Sequence, residues 1–137
     1  MTMQVIHPFM GSGAAGAAQV LTAAADIHTW VIPFKCRVIR SGFTISTLTD
    51  GSSVVEFDRL PYNNGARESA FAQLTIPTAA VVGTVYYEDP SSAKYLYEGD
   101  RGAVQVGTAA TAGAGYPWLL VEYLPEVPGN NAYMIAC

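Results

Sequence analysis

The sequence predicts an all-β domain: a single antiparallel β-sandwich, jelly roll in type, with an extended N-terminal arm. Three observations predict it. Short runs alternate apolar and polar residues, Gly, Pro, Asp or Asn bounds most of them, and no long amphipathic helical pattern occurs anywhere. A parallel βαβ arrangement needs crossover helices, which this pattern does not offer. About eight short strands suit two packed sheets, and the jelly roll is the version that best fits that number.

Residues 1–26 read as the arm and residues 27–137 as the sandwich domain. After MQVIHPF comes GSGAAGAAQVLTAAAD, a low-complexity segment of small residues. Its alanines permit a short helix around Ala17–Ala25, while Gly11, Gly13 and Gly16 weaken the start. The arm is either ordered against another surface or a loose terminus. Its apolar tips, Val5, Ile6, Phe9, Val20 and Leu21, are the residues that would seat it on a partner.

The longest β-type run is HTWVIPFKCRVIRSGFTIS (28–46), interrupted by Pro33, with Gly42 a candidate bulge. Asp50-Gly51 supplies a turn into VVEFDRL, where Val55 and Phe57 share one face and Glu56 and Asp58 the other. PYNNGARES (61–69) is a turn-rich loop, and AFAQLTIP alternates again. Pro77–Gly83 allows one helical turn. GTVYYED, AKYLY, GAVQV, PWLLVEYLP and YMIAC complete the strands. Leu119, Val121 and Tyr123 share one parity. GTAATAGAG (107–115) joins VQV to PWLLVEY and reads as a loop, either close-packed against another backbone or mobile. The two strands that it joins are expected to be neighbours.

Half of the 137 residues are apolar and only 13% are charged, about half the usual charged share. With eight tyrosines, this composition suits a surface partly covered by neighbours, and so a homo-oligomer, expected to be a trimer. The formal charge of −4 and the lack of a Lys/Arg cluster argue against nucleic acid as a partner. Lys35, Arg37 and Arg40 alternate with apolar residues, as charges on a strand face do. MTMQVIHPFM lacks the basic and apolar regions of a signal peptide, and no run reaches the length of a membrane span. Cys36 and Cys137 form no CxxC pair; they are two thiols or one disulfide.

Residues that carry chemistry are scarce. His7 and His28 are too few and too separated for a metal cluster. Glu56 and Asp58 share a strand face, as solvated carboxylates do, and EDPSS and EGD have turn composition. No Ser or Cys nucleophile stands near a His, and GTAATAGAG lacks a phosphate-loop lysine. No catalytic residue, cofactor or metal is expected. The aromatics Trp30, Tyr62, Tyr86, Tyr87, Tyr95, Tyr97, Tyr116, Trp118, Tyr123 and Tyr133 serve either packing and interfaces or a sugar-stacking platform.

VGTVYYED, then YLYEGDRGAVQVGTAATAGAGYPWLLVEYLPEVPGNN, then YMIA follow an order that resembles small head proteins of tailed bacteriophages. The resemblance covers about residues 70–136. It implies a capsid decoration or cement protein, often trimeric, bound to the major capsid protein on the capsid exterior and assembled in the bacterial cytoplasm. It implies no catalytic residues. Tyr116 and Trp118, with the arm tips, are then the expected interface residues. A tail-fibre or other glycan-binding sandwich is the alternative function.

Overall fold

A computed structural model describes residues 3–8, 18–23 and 27–124. Among these residues ten strands make two antiparallel sheets: β1 (Met3–Pro8), β2 (Gln19–Val20), β3 (Ile27–Val31), β4 (Cys36–Asp50), β5 (Ser53–Leu60), β6 (Glu68–Ile76), β7 (Val85–Glu88), β8 (Tyr95–Leu96), β9 (Arg101–Thr108) and β10 (Ala112–Tyr123). No helix occurs among the described residues, and none is long and apolar enough to cross a membrane.

The larger sheet runs β1-β10-β4-β7, with β2 beside β1 along β10 and β8 beside β7 along β4. The smaller runs β3-β9-β5-β6. With β1 and β2 sharing one position and β7 and β8 another, the layers read first–eighth–third–sixth and second–seventh–fourth–fifth. That is the jelly-roll order. Among the described strands only β5–β6 is a hairpin within one sheet. Each other connection between successive positions crosses from sheet to sheet, which is why turn residues are so dense in the sequence.

The core lies between the sheets. Val38, Phe43, Ile45, Leu119 and Val121 of the larger sheet face Val55, Phe57, Leu74, Ile76, Val104 and Val106 of the smaller, all nearly or wholly buried. The expected inward set Val55/Phe57 and the parity of Leu119, Val121 and Tyr123 both hold.

Several expectations are corrected. Gln19–Val20 is a strand rather than part of a helix, and Met3–Pro8 pairs along Tyr123–Trp118 of β10. Met3–Pro8 and Gln19–Val20, within the segment expected to be an arm, both pair with β10 of the larger sheet. Pro77–Gly83 forms tight turns, not a helical turn. β4 is irregular at Ile39, between the pairs Arg40–Leu120 and Val38–Val121, at Ser46, and between Thr47 and Asp50; Gly42 sits in regular pairing. Asp50-Gly51 is a turn with Gly51 at φ 83°, but it carries the chain between sheets.

The small-residue stretch is mostly strand. β9 runs to Thr108 and β10 starts at Ala112, and the two lie in facing sheets rather than side by side. A close backbone approach does occur there, but from the chain's own β4. A side chain at Gly115 would overlap the Phe43 ring and the Thr44 carbonyl. Phe9, the run Tyr133–Cys137 and Cys137 itself lie outside the described residues.

Candidate contact surfaces

Pairing in the larger sheet sets side chains of neighbouring strands in rows on its outer face. Val85, Thr44 and Tyr116 form one row, and Tyr87, Gly42 and Trp118 the next, with Pro8 opposite Trp118 in the ladder. Arg40 and Leu120 follow, then Tyr95, Arg37 and Glu122. Above Tyr116, Val20 stands opposite Ala114 and Thr47.

The upper half of this face is aromatic and aliphatic. A Cβ at position 42 would overlap the Trp118 indole, so the ring lies across bare backbone. Trp118 Nε1 donates to Thr44 Oγ1 at 3.3 Å, which fixes the ring's direction. Val20, Val85, Tyr87 and Tyr116 are each 42–54% exposed, and Leu48, Val81 and Val82 extend the apolar surface along the upper rim. The turn bearing those valines is held to β4 by Gly83 N donating to Ile45 O and Thr49 N donating to Ala80 O.

The lower half is charged but internally neutral. Arg40 donates from two nitrogens to Asp89 at 2.7 and 3.1 Å and stacks its guanidinium 3.9 Å from the Tyr87 ring centroid. The hydrogen bond between them raises the Arg40 pKa and lowers that of Asp89. Arg37 donates to Glu122 across the β4–β10 pair at 3.0 Å. The outer face of the smaller sheet differs in kind. Across β5, β6 and β9 it presents Val54, Glu56, Gln73, Thr75, Gln105 and Thr108, a mainly polar set of exposed and half-buried side chains.

A second exposed apolar cluster, Val31, Phe34, Tyr62 and Tyr97, lies at the end of the sandwich where the β3–β4, β5–β6 and β8–β9 loops meet. The EGD turn there is not a solvated turn as its composition suggested. Asp100 is wholly buried and accepts from Arg59 Nε at 2.6 Å, Tyr97 N at 2.8 Å and Tyr62 N at 2.9 Å. Asp58 is likewise buried, accepting from Arg67 Nε at 2.7 Å and Ala70 N at 2.8 Å. The expected solvated Glu56/Asp58 pair is corrected: a carboxylate can be buried where arginine and backbone N–H groups satisfy it.

Of the residues expected to form an interface, Tyr116 and Trp118 share the outer face, with Val20 at its upper end. Ile6 stands opposite Leu120, and Val5 opposite Val121. Leu21 is corrected. It is wholly buried in this chain's own core, anchored by its N–H to Gly113 O at 2.9 Å, and offers nothing to a partner. Val85, Leu48, Val81 and Val82 are exposed apolar residues that the sequence reading did not single out. The parity of VYYE within β7 was the available signal for Val85.

Among the described residues no three His, Cys, Asp or Glu side chains converge on a metal-sized space. An open cleft of about 300 Å³ beside the β7–β8 loop holds Glu88, Asp89 and Lys94, but Asp89 is committed to Arg40 and Lys94 lies near the Phe71 ring. Cys36 is a free buried thiol; burial first, then the Asp100 charge, push its pKa up to about 12. It is a protonated core residue, not a nucleophile.

No family model matches the chain, and no curated protein matches it. Among solved structures it is similar to that of Eiger TNF from S. frugiperda, at 13% identity and a TM-score of 0.43 over 92% of this chain and 87% of that one.

Proposed function

We propose that the chain is a structural assembly protein that associates with further copies of itself, as a trimer, through the outer face of the larger sheet. In the reading supported by the sequence resemblance, that oligomer decorates the outside of a bacteriophage capsid and cements its major capsid protein lattice. The observation that carries the assembly reading is the contrast between the two outer faces. One is aromatic with its charges paired internally, and the other is mainly polar. A face that has neutralised its own charges needs no charges from its partner, so a second copy suits it.

The magnitudes fit an assembly completed on a lattice. Covering a half-exposed Val, Leu or Tyr is worth about 1 kcal/mol, half of the ~1.5–3 kcal/mol for full burial. The apolar side chains covered on both sides of one subunit contact sum to about 10–15 kcal/mol, near the ~4–15 kcal/mol cost of association. Contacts of this kind are modest singly and strong when many copies are held together on one shell.

Two measurements test this. Sedimentation of the purified chain at micromolar concentration is expected to show an oligomer; a monomer alone would overturn the contact-face reading. Cosedimentation with empty phage heads lacking the protein is expected to show saturable binding and a raised melting temperature of the heads. Heads that leave the protein in the supernatant would overturn the capsid reading.

A further inference from the structure

The loop end of the sandwich is built around one carboxylate. Asp100 accepts the backbone N–H of Tyr62 from the β5–β6 loop and of Tyr97 from the β8–β9 loop, and its own C=O accepts from Ile32 N of the β3–β4 segment at 2.8 Å. Arg59 balances its charge. Three loops are thus tied to a single buried residue, yet the side chains they carry outward are aromatic: Tyr62 is 60% exposed and Phe34 55%. Tyr62 lies against the bare backbone of Gly99. Exposed aromatic rings on loops fixed from beneath lose little freedom when a ligand stacks on them.

The charges here also differ from those on the large sheet. Lys35 Nζ stands 5.3 Å from the Tyr95 ring centroid and 5.6 Å from that of Tyr97, so its cation is positioned by ring faces. Among the described residues Lys35 has no carboxylate partner, and neither has exposed Arg101 on β9, opposite Val31. Flat rings beside two such cations, with exposed Glu98 the one carboxylate of the β8–β9 loop tip, suit a ligand with an apolar ring face and a negative group.

We infer that this loop end is a recognition site for acidic polysaccharide, with a sugar ring stacked on Tyr62 and its carboxylate paired to Lys35. Exposed ring faces at Tyr62 and Phe34 suit stacking on a pyranose face. This site borders the lower end of the large outer face at Tyr95, but it does not rest on the assembly reading.

Native affinity electrophoresis tests it, with the full chain run through gels containing sodium alginate, neutral dextran or poly-glutamate. Alginate is expected to retard the chain, and dextran and poly-glutamate are not. Tyr62→Ala and Lys35→Gln, each with an unchanged thermal melt, are expected to weaken alginate binding at least tenfold, whereas Tyr116→Ala leaves it intact. No retardation by alginate, equal retardation by dextran or poly-glutamate, or retention that ignores the Tyr62 and Lys35 substitutions would each overturn the inference.

Discussion

The indole of Trp118 occupies the space that a side chain at Gly42 would fill on the neighbouring strand. This pairing makes the outer face of the larger sheet smooth, because the largest side chain on β10 lies down over the smallest residue on β4. Gly42→Ala forces the ring off its seat and away from Thr44 Oγ1. Overpacking of this kind costs about 1–3 kcal/mol. The expected outcome is a lower melting temperature together with a red-shifted tryptophan emission. An unchanged melt and emission would show that the ring has room to spare.

Asp100 gives a second prediction. Asp100→Asn removes the charge that faces Arg59 and weakens acceptors used by two loop N–H groups, leaving a guanidinium only partly compensated by Glu68 at 2.8 Å. Breaking a buried pair on one side costs about 3–5 kcal/mol, to be read from urea denaturation. Asp89→Asn breaks an ion pair whose carboxylate is solvent-exposed, and is expected to change stability little.

Cys36 predicts a dependence on alkaline pH. Its folded-state pKa lies above the unfolded value, so the stability tied to the neutral thiol is full below about pH 9 and declines as pH rises towards about 12. Thermal melts from pH 8 to 11 are expected to show that decline, and Cys36→Ala to flatten this contribution while costing stability at pH 8. At pH 8 an aromatic disulfide reagent is expected to leave Cys36 untouched until denaturant is added.

The same residues show what the sequence made legible. Alternation exposed Val55, Phe57, Leu119 and Val121 as core, because one buried face per strand leaves a period of two. Turn density and the absence of helical periodicity gave the jelly-roll class. Strand partners were not legible: VQV and PWLLVEY are close in sequence, yet a three-residue connection carries the chain across to the facing sheet. Nothing local distinguishes that corner from a hairpin. Asp58 and Asp100 misled for a related reason. Their burial depends on Arg67 and Arg59, brought to them by the fold. Tyr116 and Trp118 were legible as surface aromatics, but Gly42, which makes room for the ring, becomes meaningful only when β4 lies beside β10.

The last prediction concerns salt. Arg40 with Asp89 and Arg37 with Glu122 satisfy the charges of the large outer face within one chain. The proposed association through that face would therefore rest on covering Tyr87, Tyr116, Val85 and Val20, and not on ion pairs between copies. Screening weakens contacts between exposed charges over about 10 Å at 0.1 M salt, but it does not weaken apolar burial. Sedimentation at 50 mM and 500 mM NaCl is expected to give the same oligomer, with the higher salt no worse. Thr44→Glu places an unpaired carboxylate amid the apolar rows, where association would have to bury it. It is expected to yield a folded monomer, since Thr44 lies on the outer face of the sheet, away from the core, and its hydroxyl serves only Trp118. Dissociation of the unaltered chain at 500 mM NaCl would mean that charges hold the copies together. An intact oligomer of Thr44→Glu would move the contact to another surface.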